Sequence, residues 1–233
     1  GNTDKAPDVV NNSWGGGLGI DDWYREAVIN WRAAGIFPVF AAGNQLMGEP
    51  APWPGSISIP ANYPESYAVG ATDINNRRGS FSKLGPSPYD PEMIKPDISA
   101  PGVDIRSSIP GGDYTSMDGT SMAAPHIAGI AALLKSENNS LTVDELSEII
   151  NDSATPLTDS TYPHAPNFGY GHGLANVMAA LERMEMGIGF IKGKVLQEGE
   201  DLTEPTIDHD QVTFITYSGT STEISAQISD NVA

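Results

Sequence analysis

Residues 118–126 read Asp118-Gly119-Thr120-Ser121-Met122-Ala123-Ala124-Pro125-His126, and an apolar run continues to Leu134. The spacing predicts a helix over 121–136 that opens directly behind a glycine turn. Such a turn delivers Ser121 to the first helical turn, where backbone N–H groups have no intrahelical acceptor and the helix dipole is positive. Those groups can steady a developing oxyanion. The small side chains of Ala123 and Ala124 let the helix lie close to its neighbours. Serine is also an ordinary helix cap, so Gly-Thr-Ser by itself fits a plain capped helix equally well.

Upstream of that stretch, residues 8–42 read as strand, helix, strand. Val9 and Val10 form the first strand. Asp21 to Ala34 forms the helix, with Trp23, Ala27, Val28 and Trp31 on one face and Asp21 or Asp22 as its cap. Gly35 stands where a left-handed C-terminal cap belongs. The run 36–42, Ile-Phe-Pro-Val-Phe-Ala-Ala, is apolar on both faces, as a buried parallel strand must be. This is a βαβ unit, which predicts an α/β fold with a mostly parallel sheet. Short strands are expected at Tyr67-Ala68-Val69-Gly70-Ala71-Thr72 and around Ile98 and Ile105, and helices at 143–152 and 174–185. The first two strands run into Asn-Ser-Trp-Gly and Ala-Gly-Asn, and in open α/β sheets ligands gather at such strand ends.

After Gly187 the texture changes. Ile191, Gly193 and Val195 alternate, an acidic stretch follows, then Val212, Phe214 and Thr216. This divides the chain into 1–187, an α/β part, and 188–233, a linker with an incomplete β-rich module. The start at Gly1, which enters a strand almost at once, reads as a beginning in mid-fold, and the end at Ala233 as a second truncation.

Thirty acidic against twelve basic residues among 233 give a net charge of −18, which argues against nucleic acid as a partner. Cysteine is absent, which removes disulfides, thiolate metal sites and a cysteine nucleophile. No apolar run approaches the ~20 residues of a membrane span. Nothing in the sequence assigns an oligomeric state.

The segment 118–126 resembles the nucleophile motif of the subtilisin-like (subtilase) peptidases. The likeness continues in order through Asn12-Ser13-Trp14-Gly15, Ala41-Ala42-Gly43-Asn44, Ala68-Val69-Gly70-Ala71, Phe81-Ser82 and Lys95-Pro96-Asp97-Ile98-Ser99-Ala100-Pro101-Gly102. Together these span about 1–186. The resemblance implies a doubly wound, subtilisin-like α/β domain, here truncated at its N-terminus and followed by the start of a β-rich appendage. It implies a secreted serine endopeptidase acting on peptides or proteins, with no organic cofactor. Ser121 would be the nucleophile, and the Asn44 amide with the Ser121 N–H the oxyanion hole. Ser13, Trp14 and Gly15 would form a substrate-pairing edge and one wall of the first specificity pocket, with Ala41, Ala42 and Gly43 as the other. A structural Ca²⁺ would sit on carbonyls near Ala61, Tyr63 and Ser66 with the carboxylate of Asp97, although Asp97 serves equally well as a loop cap.

Each of these residues has a plainer reading. Gly43-Asn44 is a common turn, and Ser13-Trp14-Gly15-Gly16-Gly17 suits a flexible loop; no lysine follows it in phosphate-loop spacing. His126 lies five residues beyond Ser121 on the same helix and points away from it, and in the family it is structural. His164 and His172 fall in a Pro- and Gly-rich loop, and His209 in the second module. Subtilase triads run Asp, His, Ser along the chain, so the two partners of Ser121 are expected ahead of Gly1 and these residues alone are expected to be inactive. The rival reading is a non-catalytic module that holds extended peptides on the same edge. A hydrolase of the Gly-x-Ser-x-Gly type is disfavoured, because Ala123 replaces the last glycine.

Overall fold

Four parallel strands carry the site. They are β1 (Val9–Asn12), β2 (Phe37–Ala41), β3 (Tyr67–Thr72) and β4 (Ile98–Pro101), paired in the order β1-β2-β3-β4. The structure is a computed structural model and describes residues 5–185, together with the backbone of 206–208 and 227–229. It falls into two units, Gly1–Met186 and Gly187–Ala233.

Strand β2 is buried along its whole length, as its two-sided apolar run requires. Its alternate residues face opposite layers. Phe40, with Ala42 just beyond the strand, packs with Val28 of helix α1 (Arg25–Ala33) and with Ile57, Ile59, Ala61, Tyr63 and Ala68. Helix α2 (Thr120–Glu137) packs against β1, β2, β3 and β4 through buried Ala123, Ala124, Ile127, Ala131 and Leu134. Alanines at the contact let its axis approach the sheet. Helices on both faces of a parallel sheet make this a doubly wound α/β fold, as the strand-helix alternation predicts. Helices α3 (Val143–Asp152) and α4 (Val177–Glu185) pack together, and α3 opens with a capping box between Thr142 and Glu145.

Three local expectations change. Helix α1 begins at Arg25, with Tyr24 at its N-cap and no side-chain cap. Asp21 is spent on the Trp23 N–H (3.1 Å) and Asp22 on the Tyr89 hydroxyl (2.7 Å), so neither caps the helix. Trp23 is accordingly outside the helix and 65% exposed, with its ring 6.2 Å from that of Trp14. The strand at Ile105 does not join the main sheet. As β5 (Ile105–Ser108) it forms an antiparallel hairpin with β6 (Tyr114–Met117), which delivers the chain to α2. Gly35 does adopt the left-handed cap, with φ 78° and its N–H on the Arg32 carbonyl.

In the second unit, Thr206–Asp208 and Gln227–Ser229 pair antiparallel. The alternating residues Ile191, Gly193, Val195, Val212, Phe214 and Thr216, and His209, lie outside the described residues.

Candidate active site

Gly119 turns the chain into α2 with φ 155°, a backbone setting that side-chain-bearing residues rarely adopt. Its N–H donates to the Gly102 carbonyl (2.8 Å), which ties the turn to the end of β4. Gly102 allows this approach because a Cβ there would lie 2.6 Å from that of Ala71 and 2.8 Å from the Gly119 carbonyl oxygen. Ser121 thus enters the first turn of α2, and its N–H has no acceptor among the described residues.

Asn44 follows β2 and faces that turn. Its Oδ1 accepts two hydrogen bonds from Thr120, from the N–H at 2.9 Å and from the hydroxyl at 3.0 Å. A backbone N–H can only donate, so the amide oxygen must face Thr120 and Nδ2 must face the other way. Two donors on Nδ2 are therefore presented beside Ser121. Thr120 is buried and its Oγ1 also accepts the Gly43 N–H (3.2 Å), so it fixes both the Asn44 amide and the strand end. The sequence reading passed over Thr120, since threonine next to a glycine turn looks like a cap.

Ser13, at the end of β1, holds Ser121 from the opposite side. Its hydroxyl donates to the Ser121 carbonyl (2.8 Å), and the Ser121 hydroxyl donates back to the Ser13 carbonyl (3.3 Å). No histidine hydrogen-bonds Ser121 among the described residues. His126 Nδ1 is engaged by the Met122 carbonyl at 2.9 Å, which requires the proton on that nitrogen.

Two cavities flank Ser121. One, of about 440 Å³, is lined by Ile105, Met117, Met122, Pro125 and His126. The other, of about 200 Å³, is walled by Ser13 to Gly17 on one side and by Ala41, Gly43 and Asn44 on the other. Gly15 is pressed against the Ile59 carbonyl, 2.8 Å from where a Cβ would sit, and Gly16 donates to the same carbonyl. Trp14 is 41% exposed and donates from Nε1 to Asn12 Oδ1. Ala42 is not part of the wall. The strand's alternation turns its side chain into the α1-side core, and its backbone is used by Val69 and Ser58. Four further residues of this cavity, Leu46, Glu49, Ser58 and Lys83, come from loops that carry no local signal of it.

Asp97 lies away from this cavity, and its surroundings do not fit Ca²⁺. Its Oδ2 accepts the Ala68 N–H (2.7 Å) and the Lys95 ammonium (2.7 Å), and Lys95 Nζ also reaches the Ser66 carbonyl. Lys95 is 1% exposed. Two oxygens expected to ligate a cation are thus held by a buried lysine, whose charge would repel one. Among the described residues no group of three or more His, Cys, Asp or Glu could hold a metal ion. In this structure the Lys95 ammonium takes the place beside Asp97 where the resemblance implies a cation.

Comparison with known proteins agrees with this architecture. A family model described as the Subtilase family, Peptidase_S8, matches residues 2–173, and the chain belongs to that family. It is 55% identical over 231 residues to Bacillopeptidase F of Bacillus subtilis (strain 168), covering 99% of this chain and 16% of that protein. It is 39% identical over 180 residues to Subtilisin DY of Bacillus licheniformis, covering 77% of this chain and 59% of the relative. The chain therefore spans from about a sixth to under two thirds of these two relatives. Among solved structures, the prenylagaramide maturation protease PagA aligns with TM-score 0.62 and 25% identity, over 77% of this chain and 63% of that one. A serine-to-alanine mutant of the protease domain of PatA aligns with TM-score 0.62 and 29% identity, over 79% and 62%. No described helix is long and apolar enough to cross a membrane.

Proposed function

We propose that the protein is a serine endopeptidase that cleaves peptide bonds through an acyl-enzyme on Ser121. The observation that carries this is the locked Asn44 amide. With Oδ1 held by Thr120, Nδ2 and the Ser121 N–H form a pair of donors fixed before any substrate arrives. Ser121 Oγ attacks the scissile carbonyl carbon, its proton passes to a general base, and the carbonyl oxygen becomes an oxyanion received by those donors. Collapse expels the amine, which takes the proton from the base, and water then releases the acyl group by the reverse sequence. Ser13 to Gly15 supplies backbone partners for an extended substrate, and the Gly43 wall the pocket for its side chain.

The base is proposed to be a histidine oriented by an aspartate, both preceding residue 1, in the triad order of the family. Without them Ser121 remains a hydroxyl donating to Ser13, and the remaining machinery would give at most about 10³–10⁴ over water. The same reading assigns residues 1–187 to the peptidase domain and 188–233 to an appendage, and places the protein outside the cell, acting on peptide or protein substrates without an organic cofactor.

The test is labelling of the gene's full-length product by a fluorophosphonate, beside its Ser121→Ala variant. Labelling of the first and not the second establishes an activated nucleophile. A folded, mature product that takes no label overturns the reading in favour of a module that holds peptides without cutting them.

A further inference from the structure

The cavity walled by Ser13 to Gly17 and by Gly43 has a charged floor. Lys83 donates its backbone N–H to the Gly43 carbonyl (3.0 Å), and its side chain lies so close that a Cβ on Gly43 would sit 3.1 Å from Lys83 Cδ. That side chain is only 7% exposed. Its ammonium has one ionic neighbour, Glu49 Oε2, in a loose pair at 3.6 Å. Ser58 Oγ, 2.2 Å from where the Gly43 Cβ would be, lines the same floor and donates to no described acceptor. An ammonium has three donors and a hydroxyl one, and both atoms stay open to the pocket instead of being sealed in the core.

The negative partner is placed differently. The Glu49 side chain is 38% exposed, and its Oε2 already accepts the Leu46 N–H at 3.0 Å. The pocket thus turns its positive end inward and its negative end toward solvent.

We propose that Lys83 is the specificity-determining residue of this pocket, and that the pocket selects an acidic side chain, glutamate or aspartate, immediately before the scissile bond. The proposal rests on reading the chain as an endopeptidase. An entering carboxylate supplies acceptors to Lys83 Nζ and Ser58 Oγ together. An apolar side chain strands both donors, and a lysine or arginine meets a like charge in a poorly hydrated site. The net charge of −18 opposes acidic substrates at long range, but salt screens it beyond about 8–10 Å. It therefore acts on encounter and leaves the contact at the floor intact.

The experiment compares kcat/KM of the full-length product on three peptide anilides that differ only in the residue before the scissile bond: glutamate, leucine or lysine. The glutamate peptide should be favoured over leucine by about tenfold or more. Lys83→Met should reverse that preference, with leucine turnover rising as the floor becomes apolar. Glu49→Gln removes the competing carboxylate and should raise the glutamate-to-leucine ratio several-fold, which keeps the test decisive if Lys83→Met does not fold. A labelled enzyme that prefers leucine or lysine, or a ratio that neither variant changes, overturns the proposal alone. Failure to cleave all three peptides, together with no fluorophosphonate label, overturns the endopeptidase reading as well.

Discussion

The Thr120 hydroxyl lies 3.0 Å from Asn44 Oδ1 and the Thr120 N–H 2.9 Å from the same oxygen, so one buried residue sets which way the Asn44 amide faces. Removing the hydroxyl in Thr120→Val leaves a single restraint on that amide and frees the Gly43 N–H. A net hydrogen bond of about 1 kcal/mol corresponds to roughly a five- to tenfold fall in kcat. Asn44→Leu should cost more, about 10²–10³-fold, the loss known for removing such a donor from a subtilisin. Both should act on kcat with KM little changed, because the oxyanion exists only in the transition state. Steady-state kinetics of the full-length enzyme checks this, and an equal rise in KM would contradict it.

Lys95 and Asp97 form a buried pair, with side chains 1% and 20% exposed. Lys95→Met should destabilise the fold by about 3 kcal/mol, since it leaves a partly buried carboxylate without its charge partner. It also vacates the position the ammonium holds between Asp97 and Ser66. Thermal unfolding in chelator and in millimolar Ca²⁺ should therefore show a larger calcium response in Lys95→Met than in the parent. Equal responses would contradict the assignment of Lys95 as the cation.

Gly43 has φ 104°, and a Cβ there would meet Ser58 Oγ at 2.2 Å and Ser58 Cβ at 2.7 Å. Gly43→Ala combines a left-handed alanine with a steric clash and should cost about 1–3 kcal/mol. Denaturant unfolding measures the loss. A midpoint equal to the parent's would mean that the pocket wall moves freely.

Burial pushes the His172 imidazole below its ordinary value near 6.5, against the opposing pull of the Asp97 and Asp152 carboxylates. The folded state therefore binds this proton less readily than the unfolded chain. Its contribution is fully present above about pH 6.5 and is lost as pH falls toward the lowered folded value. His172→Gln should flatten the stability profile across that acid window. A parallel profile would show that another group titrates there.

Much of this protein was legible in its order of residues. The run 36–42 had to be a buried strand, Gly35 had to end a helix, and the glycine turn into an apolar helix had to expose Ser121. All three follow from local periodicity and backbone freedom, which a sequence carries directly. The start of α1 was misplaced because Asp21 and Asp22 bond to partners that only tertiary folding brings near, Tyr89 among them. The direction of the Ala42 side chain was not legible because neighbouring strand residues face opposite layers, and the layer is chosen by what packs there. Thr120, Ser58 and Lys83 reach the site from a helix turn and two separate loops. The sequence by itself determined the sheet, the turn that exposes Ser121 and the glycines that admit close approach. Only the tertiary structure decided which charges meet: it brings Lys83 and Glu49 together across thirty-four residues, and burial, which removes water from around Lys95 and Asp97, makes that second pairing matter.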